Sequence, residues 1–187
     1  MSTKYTIGQM NQLGDALEIA GFTPEQVTKM RNYPNWKDIK QVLEGHAEIK
    51  LLEHVIDLDV NPFCPNGLTV EEHQKGGTFH WDPTKVQLYL SKTQSKGEFI
   101  GGHDLRKDLA GKPVLKACLL DYLIKNPHLI PDAWKGKAVF FWGTIYHDSV
   151  GDLYVRYLYW GDGQWHSDSS WLGGDWYDDD PAVLRVS

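Results

Sequence analysis

The sequence predicts an α+β protein in which a small helical region, residues 1–50, precedes a larger α+β domain, residues 51–187. Helix start and stop signals cluster before residue 50, whereas aromatic and β-branched runs typical of strands cluster after residue 136. Hydrophobic residues make up 41% and charged residues 24% of the chain, a balance that predicts a packed core. At 187 residues there is room for one domain of ordinary size with a helical appendage.

Three short helices are predicted within residues 1–45. Thr6 can cap the first helix, which ends at Gly21. Residues 23–26, Thr-Pro-Glu-Gln, combine an N-cap hydroxyl, a proline at the first helical position and a capping-box glutamine, and so predict the start of the second. Asn35 can cap the third, which ends at Gly45. The apolar residues of the first helix are Ile7, Met10, Leu13, Leu17 and Ala20, and those expected to face inward from the third are Trp36, Ile39, Val42 and Leu43.

Two roles are open for these helices. A three-helix unit fits helix-turn-helix DNA binding, and it also fits a docking or oligomerisation module. The first fifty residues carry six basic and six acidic side chains, so they lack the positive charge that phosphate contacts require. Docking is therefore favoured, and the alternative is a regulator with DNA-binding helices and a ligand-sensing β domain.

The larger domain begins with an extended, turn-rich segment, residues 51–77, whose start is predicted as a strand or a helix tail. A strand over residues 85–91 is followed by helices over residues 102–109 and 117–125. Next, aromatic and β-branched runs predict an antiparallel meander of three or four strands. These strands are expected over residues 137–146, 153–160, 164–172 and 182–186.

Charge and composition exclude several classes of protein. The net charge of −6 and the pI near 5.7 argue against nucleic-acid binding by the whole chain. The sequence has neither a secretion signal nor an apolar run of membrane-spanning length, so we expect a cytoplasmic protein without membrane contact. Cys64 and Cys118 are expected to be buried thiols.

Motifs of catalysis and metal binding are scarce. The sequence contains no phosphate-binding glycine loop, no GxSxG or HExxH motif, and no histidine cluster with metal-ligand spacing. Glu71-Glu72-His73 is interpreted as a solvated loop. The acidic run at residues 175–180 has enough oxygens for calcium but lacks the spacing of an EF-hand. We expect no enzymatic activity, no cofactor and no metal site. A polymer hydrolase remains an alternative and would need two carboxylates facing each other across a cleft.

Residues 165–180, WHSDSSWLGGDWYDDD, are the most informative stretch. Three tryptophans stand among small polar residues, which is a composition typical of binding loops. Rigid aromatic rings supply contact area there, and the small polar side chains supply adaptable hydrogen bonds. The alternative is an aromatic-cored sheet with polar turns, which does not explain the density of Asp and Ser between the tryptophans.

A family resemblance enters with this stretch. Four short sequence motifs carry it. They are Leu129-Ile130-Pro131, residues 134–137 (WKGK), residues 139–146 (VFFWGTIY), and the pattern WL..DW....PAVL from Trp171 to Leu184. Over residues 70–187 the chain resembles the variable proteins of diversity-generating retroelements, which use a C-type lectin-like fold. The order strand, helix, helix, meander and final short strand is similar as well.

The resemblance implies a ligand-binding display protein with a variable region at about residues 160–183. In that family a reverse transcriptase randomises adenines, often in AAC or AAT codons, while tryptophan codons stay fixed because TGG contains none. Lys, Glu, Gln and Met, which such codons cannot reach, account for 34 of the 187 residues, yet none stands among the thirteen non-tryptophan residues at 165–180.

The implied exchangeable positions are His166, Ser167, Asp168, Ser169, Ser170, Gly173, Gly174, Tyr177, Asp178, Asp179 and Asp180. The implied fixed frame is Trp160, Trp165, Trp171 and Trp176, and Asp175 is assigned to neither group. An acidic, aromatic surface favours a basic or amphipathic partner, a protein or another macromolecular ligand, over nucleic acid. Calcium-dependent sugar binding is not implied, because residues 126–128 (NPH) and 176–178 (WYD) depart from the motifs of sugar-binding lectins.

Overall fold

The computed structural model describes residues 4–50 and 52–186, so Leu51, the first residue of the predicted extended segment, lies outside the described residues. The described residues divide after Leu52 into two compact units, here the N-terminal unit and the C-terminal unit. Within these residues the chain forms five α-helices and eleven strands, which confirms the α+β class and the helical N-terminal region. None of these five helices has the length and apolarity needed to cross a lipid bilayer.

The N-terminal unit contains α1 (Ile7–Ile19), α2 (Pro24–Met30) and α3 (Trp36–Leu43). Thr6 and Thr23 cap α1 and α2 as predicted, each within a capping box that a glutamine three residues later completes. Gly21 and Gly45 follow the ends of α1 and α3 with φ angles of 80° and 75°. Two details of the prediction for α3 are wrong: Asn35 makes no side-chain capping bond, and none of the four residues expected to face inward is buried, with Trp36 45% and Leu43 83% exposed.

The C-terminal unit has two helices, α4 (Gly102–Asp108) and α5 (Ala117–Lys125). Its strands are β1 (Val55–Asp57), β2 (Thr69–His73), β3 (Thr78–His80), β4 (Val86–Tyr89), β5 (Ile100–Gly101), β6 (Val139–Phe140), β7 (Thr144–His147), β8 (Leu153–Gly161), β9 (Gln164–Trp171), β10 (Asp175–Trp176) and β11 (Ala182–Arg185). The predicted elements at residues 85–91, 102–109, 117–125, 153–160, 164–172 and 182–186 are confirmed to within two residues at each end.

Seven of these strands form one mixed sheet in the order β2-β7-β8-β6-β11-β4, with β9 paired to β8 as well. The expected purely antiparallel meander is wrong in one respect, because β11 returns parallel to β6 before pairing antiparallel with β4. Two smaller pairs, β1 with β3 and β5 with β10, stand apart from this sheet. The β5–β10 pair ties β10 to the start of α4.

The single strand predicted over residues 137–146 is also wrong, because β6 and β7 are separate strands. The break falls at Gly143, whose N–H donates to the Leu115 carbonyl at 2.9 Å. A Cβ at Gly143 would lie 2.9 Å from Lys116 Cγ and 3.0 Å from the Val114 and Leu115 carbonyl oxygens, so a side chain at this bend would force its neighbours to shift.

Two predictions about polar residues are also corrected. The segment containing Glu71-Glu72-His73 is not a solvated loop but part of β2, which pairs with β7. Charged side chains on an edge strand are common because they discourage pairing with other chains. Cys64 is exposed, whereas Cys118 is buried as expected.

The core lies on both sides of the large sheet. Successive side chains of a strand point to opposite faces, so Leu158 of β8 packs with α5 on one side and Val155 packs with α4 on the other. Leu119, Leu120 and Leu123 fill the first side, and Leu105, Leu172 and Trp176 fill the second. The sheet thereby provides a rigid support for the residues that follow β8.

Candidate ligand-binding surface

The β8–β9 hairpin places the first five predicted exchangeable positions. Its register pairs Trp160 with Trp165 and Tyr154 with Trp171, with every residue between them matched. Paired residues of an antiparallel hairpin project to the same face, and successive residues alternate. His166, Asp168 and Ser170 therefore share one face of β9, while Ser167 and Ser169 lie on the opposite face.

The first of these faces is aromatic and acidic. Tyr157 and Tyr159 of β8 stand opposite Asp168 and His166 of β9. The rings of Tyr159 and His166 stack with centroids 5.2 Å apart, and Tyr157 lies 5.7 Å from Tyr159. Burial, followed by the nearby charge of Asp168, raises the pKa of Tyr157. We name Tyr157, Tyr159, His166, Asp168 and Asp180 the display face. Ser170 continues it toward the buried Val155.

The opposite face of β9 lies over a cleft. Arg156, only 3% exposed, donates to Asp121 Oδ1 at 2.7 Å and to Ser167 Oγ at 3.4 Å. Ser167 lines the cleft, which has a volume of about 650 Å³. The hydroxyl of Ser169 is buried without a hydrogen-bond partner among the described residues. Ser167 thus remains exposed beside this cleft whereas the Ser169 hydroxyl is buried, and the predicted exchangeable positions of β9 do not form one continuous face.

The second stretch of predicted exchangeable positions, within residues 173–180, follows the buried Leu172. Gly173, Tyr177, Asp178 and Asp179 are exposed, whereas Gly174 and Asp180 are partly buried. A Cβ at Gly173 would collide with the ring of Trp171, so a larger residue there requires that ring to move. At Gly174 the nearest atom to such a Cβ is 3.4 Å away, an ordinary contact.

The acidic end of this stretch adjoins the display face. The charge of Asp180 contributes to the raised pKa of Tyr157. The pKa of Asp180 is itself raised, first by burial and then by repulsion from Asp179 and Asp178, against the lowering effect of the hydrogen bond from the Tyr177 N–H. Among the described residues, no group of three or more His, Cys, Asp or Glu side chains has a geometry that could hold a metal ion.

The four frame tryptophans differ in how deeply they are buried. Trp176 is 1% exposed and packs on Phe140 and Trp142, with ring centroids 4.2 and 4.9 Å away. Trp165 is partly buried against the α5 side of the core and lies edge-on to Trp160 at 5.4 Å. Trp160 and Trp171 remain 37% and 48% exposed.

The structure adds Gln94, which was not among the predicted site residues. Its side chain is 1% exposed, and its Nε2 donates to the carbonyls of Tyr177 at 2.7 Å and Asp180 at 3.2 Å. Its Oε1 accepts from the Ser91 N–H at 3.0 Å, and Ser91 Oγ accepts from the Gln94 N–H. Ser91 and Gln94 have the spacing and the reciprocal bonds typical of a capping box, so this local pair could have been found from the sequence.

Gly102 is a second such residue. Its N–H donates to the Gly174 carbonyl at 3.1 Å, and a Cβ there would collide with Trp176 Nε1 and the Leu172 carbonyl. The start of α4 and the exchangeable stretch therefore pack too closely for any side chain at position 102.

Comparison with known proteins yields no relative for this fold or surface: no protein-family model, no curated protein and no solved structure matches the chain.

Proposed function

We propose that this protein binds a macromolecular ligand through the display face and the adjoining residues 177–179, and that it performs no catalysis there. The observation that carries the proposal is how the backbone is held. β9 is fixed by its ladder with β8, and residues 177–180 are fixed by Gln94 and by the Ala138 N–H, which donates to the Asp179 carbonyl at 2.8 Å. Neither support depends on the side chains at His166, Tyr177, Asp178 or Asp179.

The chemistry of the surface selects the kind of ligand. Asp168, Asp178 and Asp179 are exposed, and the tyrosine rings of β8 stand beside them. Exposed carboxylates attract cationic groups, and tyrosine rings supply area and hydrogen bonds at low entropic cost. The ligand is a protein with a basic or amphipathic surface, and the same carboxylates repel nucleic-acid phosphates.

The scaffold is, in this proposal, a C-type lectin-like domain, and the chain is a variable protein of a diversity-generating retroelement. The order of elements supports it: strand β4, helices α4 and α5, the hairpin β8–β9 and the short last strand β11 follow the order on which the resemblance rests. The placement of Trp176 in the core, between exposed neighbours, fits a residue that stays constant while the positions around it change.

The gene that encodes the chain provides the first test. We expect a near-repeat of the segment coding for residues 160–183 close to its 3′ end, differing at adenine positions, together with a reverse-transcriptase gene. Sequencing of the flanking DNA checks this. If neither feature is present, the assignment to diversity-generating retroelements is wrong, although ligand binding by the display face could still be measured separately.

The protein itself provides the second test. One library randomises His166, Asp168, Tyr177, Asp178 and Asp179, and a matched library randomises Gln94, Gly102, Trp165, Leu172 and Trp176. Protease resistance of surface-displayed variants reports folding. We expect most members of the first library to fold and few of the second, because only the second removes buried contacts. Equal losses in both libraries would overturn the proposal that the first set is exchangeable.

A further inference from the structure

The N-terminal unit contains an apolar groove that no described residue of the unit fills. It is lined by Leu13, Leu17, Val27 and Trp36 of helices α1–α3 and by Phe22 in the connection between α1 and α2, and its volume is about 790 Å³. Among residues 4–50 and Leu52 no side chain is buried, so these helices close no core of their own. Leu13, Phe22, Val27 and Trp36 are each 40–52% exposed. A contiguous apolar surface of this kind marks a binding site.

The walls of the groove are held in place without an occupant. Capping boxes fix the starts of α1 and α2. The indole of Trp36 donates through Nε1 to the Met30 carbonyl at 2.8 Å and meets the ring of Tyr33 edge-on at 6.1 Å. These contacts fix the connection between α2 and α3. The groove is therefore already formed, and binding of an occupant requires little further ordering of its walls.

The geometry also selects the shape of the occupant. The walls are three helices and their short connections, and the backbone N–H and C=O groups inside each helix bond to one another. They offer no strand edge with which an extended peptide could pair. An amphipathic helix needs only an apolar groove, because its own backbone groups are satisfied internally.

Charge selects the kind of helix. The charged residues among those that line the groove are Lys29 and Arg31, and both are cationic. We propose that this groove binds an amphipathic helix of a partner protein that carries acidic residues beside its apolar stripe. A second copy of the same groove is a poorer occupant, because a two-fold interface would bring both cations of each copy together.

Three labelled helical peptides test the proposal on the full chain by fluorescence anisotropy. The first carries leucines at helical spacing with glutamates beside them, the second has lysines in place of the glutamates, and the third has serines in place of the leucines. We expect the Kd of the first peptide to be at least about tenfold lower than that of the second. The third peptide is expected not to bind.

Variants of the chain separate groove binding from a folding defect. Leu17→Glu is expected to abolish binding, whereas Ile19→Glu, on the same helix but 88% exposed and outside the groove lining, is expected to leave it unchanged. The double variant Lys29→Glu, Arg31→Glu keeps the apolar lining and is expected to reverse the preference between the first two peptides.

Three outcomes would overturn the proposal. The first is equal binding of the glutamate and lysine peptides, and the second is no binding of either peptide by a chain whose circular dichroism shows folded helices. The third is sedimentation of the chain as a dimer that Leu17→Glu dissociates, which would make a second copy the occupant.

Discussion

The two stretches that carry the predicted exchangeable positions are held in different ways. β9 forms eight consecutive pairs with β8, so backbone hydrogen bonds fix it along its whole length. Residues 172–180 depend on a few side chains: Trp176 in the core, Gln94 beneath the Tyr177 and Asp180 carbonyls, and the missing side chain of Gly102. A ladder tolerates almost any side chain on its exposed face. A segment held by a few buried contacts tolerates exchange of its exposed side chains only while those contacts remain.

The largest expected effect comes from removing the deepest support. Trp176→Ala deletes a ring that is 1% exposed and packed on Phe140 and Trp142. The lost burial and the remaining cavity are expected to lower the free energy of unfolding by about 3–5 kcal/mol. Chemical denaturation followed by circular dichroism measures this loss.

Trp171→Ala provides the matched control at the end of the ladder. Its ring is 48% exposed, so we expect a loss of only about 1–2 kcal/mol. Equal losses for the two variants would show that the ladder and the supported segment depend equally on their tryptophans, and the distinction between them would be lost.

Gln94→Glu is expected to have the next largest effect. It replaces the Nε2 donor with an oxygen that faces the Tyr177 and Asp180 carbonyls, and we expect a loss of about 2–3 kcal/mol at neutral pH. Part of the lost free energy of unfolding is expected to be regained at low pH, because a protonated Glu can donate one hydrogen bond.

Gln87→Glu, at an exposed position in β4, is the control for Gln94→Glu and should change the free energy of unfolding by less than about 0.5 kcal/mol. Thermal unfolding at several pH values measures both variants. A pH-independent loss for Gln94→Glu would contradict the assigned hydrogen bonds.

Local signals explain which parts of this architecture could be predicted from sequence. Capping residues, prolines and glycines indicate the ends of α1, α2, α4 and α5. Runs of β-branched and aromatic residues indicate the long hairpin. β5 and β10 could not be predicted, because strands of two residues exist only through their tertiary partner. The break between β6 and β7 has the same origin, since it depends on contact between Gly143 and the segment before α5.

The candidate site was partly predictable for the same reason. Alternation along β9 is a property of any strand, so the separation of His166 and Asp168 from Ser167 and Ser169 follows once the strand is assigned. The partners of those two faces do not follow, because Asp121, which binds Arg156 beneath Ser167, and Asp180, whose charge acts on Tyr157, come from other parts of the chain. Gln94 makes one contact of each kind. Its bond with Ser91 is local and could be predicted, whereas its bond to the Tyr177 carbonyl spans 83 positions and could not.

Asp180 predicts a smaller effect that depends on pH. Because burial and the neighbouring carboxylates raise its pKa in the folded protein, its ionisation disfavours folding. The stability linked to this group is complete below the pKa of an unfolded Asp, about 3.9, and is lost as pH rises through the raised folded pKa. Asp180→Asn keeps an oxygen to accept from the Tyr177 N–H and carries no charge. We expect its melting temperature to match wild type near pH 3 and to exceed it increasingly toward pH 7. A difference that does not vary with pH would contradict the raised pKa.

The smallest expected effects come from the exposed positions themselves, one in each of the two stretches. Asp168→Asn in β9 keeps the acceptor for the Ser169 N–H, and Asp178→Asn changes an exposed side chain above the supports formed by Gln94. Both should alter the free energy of unfolding by less than about 0.5 kcal/mol, as measured by urea denaturation. Asp178→Asn should also reduce the pH dependence assigned to Asp180, because it removes one of the charges that raise that pKa. A loss above about 1 kcal/mol in either variant would move that position from the exchangeable set to the scaffold, since a side chain that stabilises the fold to that degree is not free to vary.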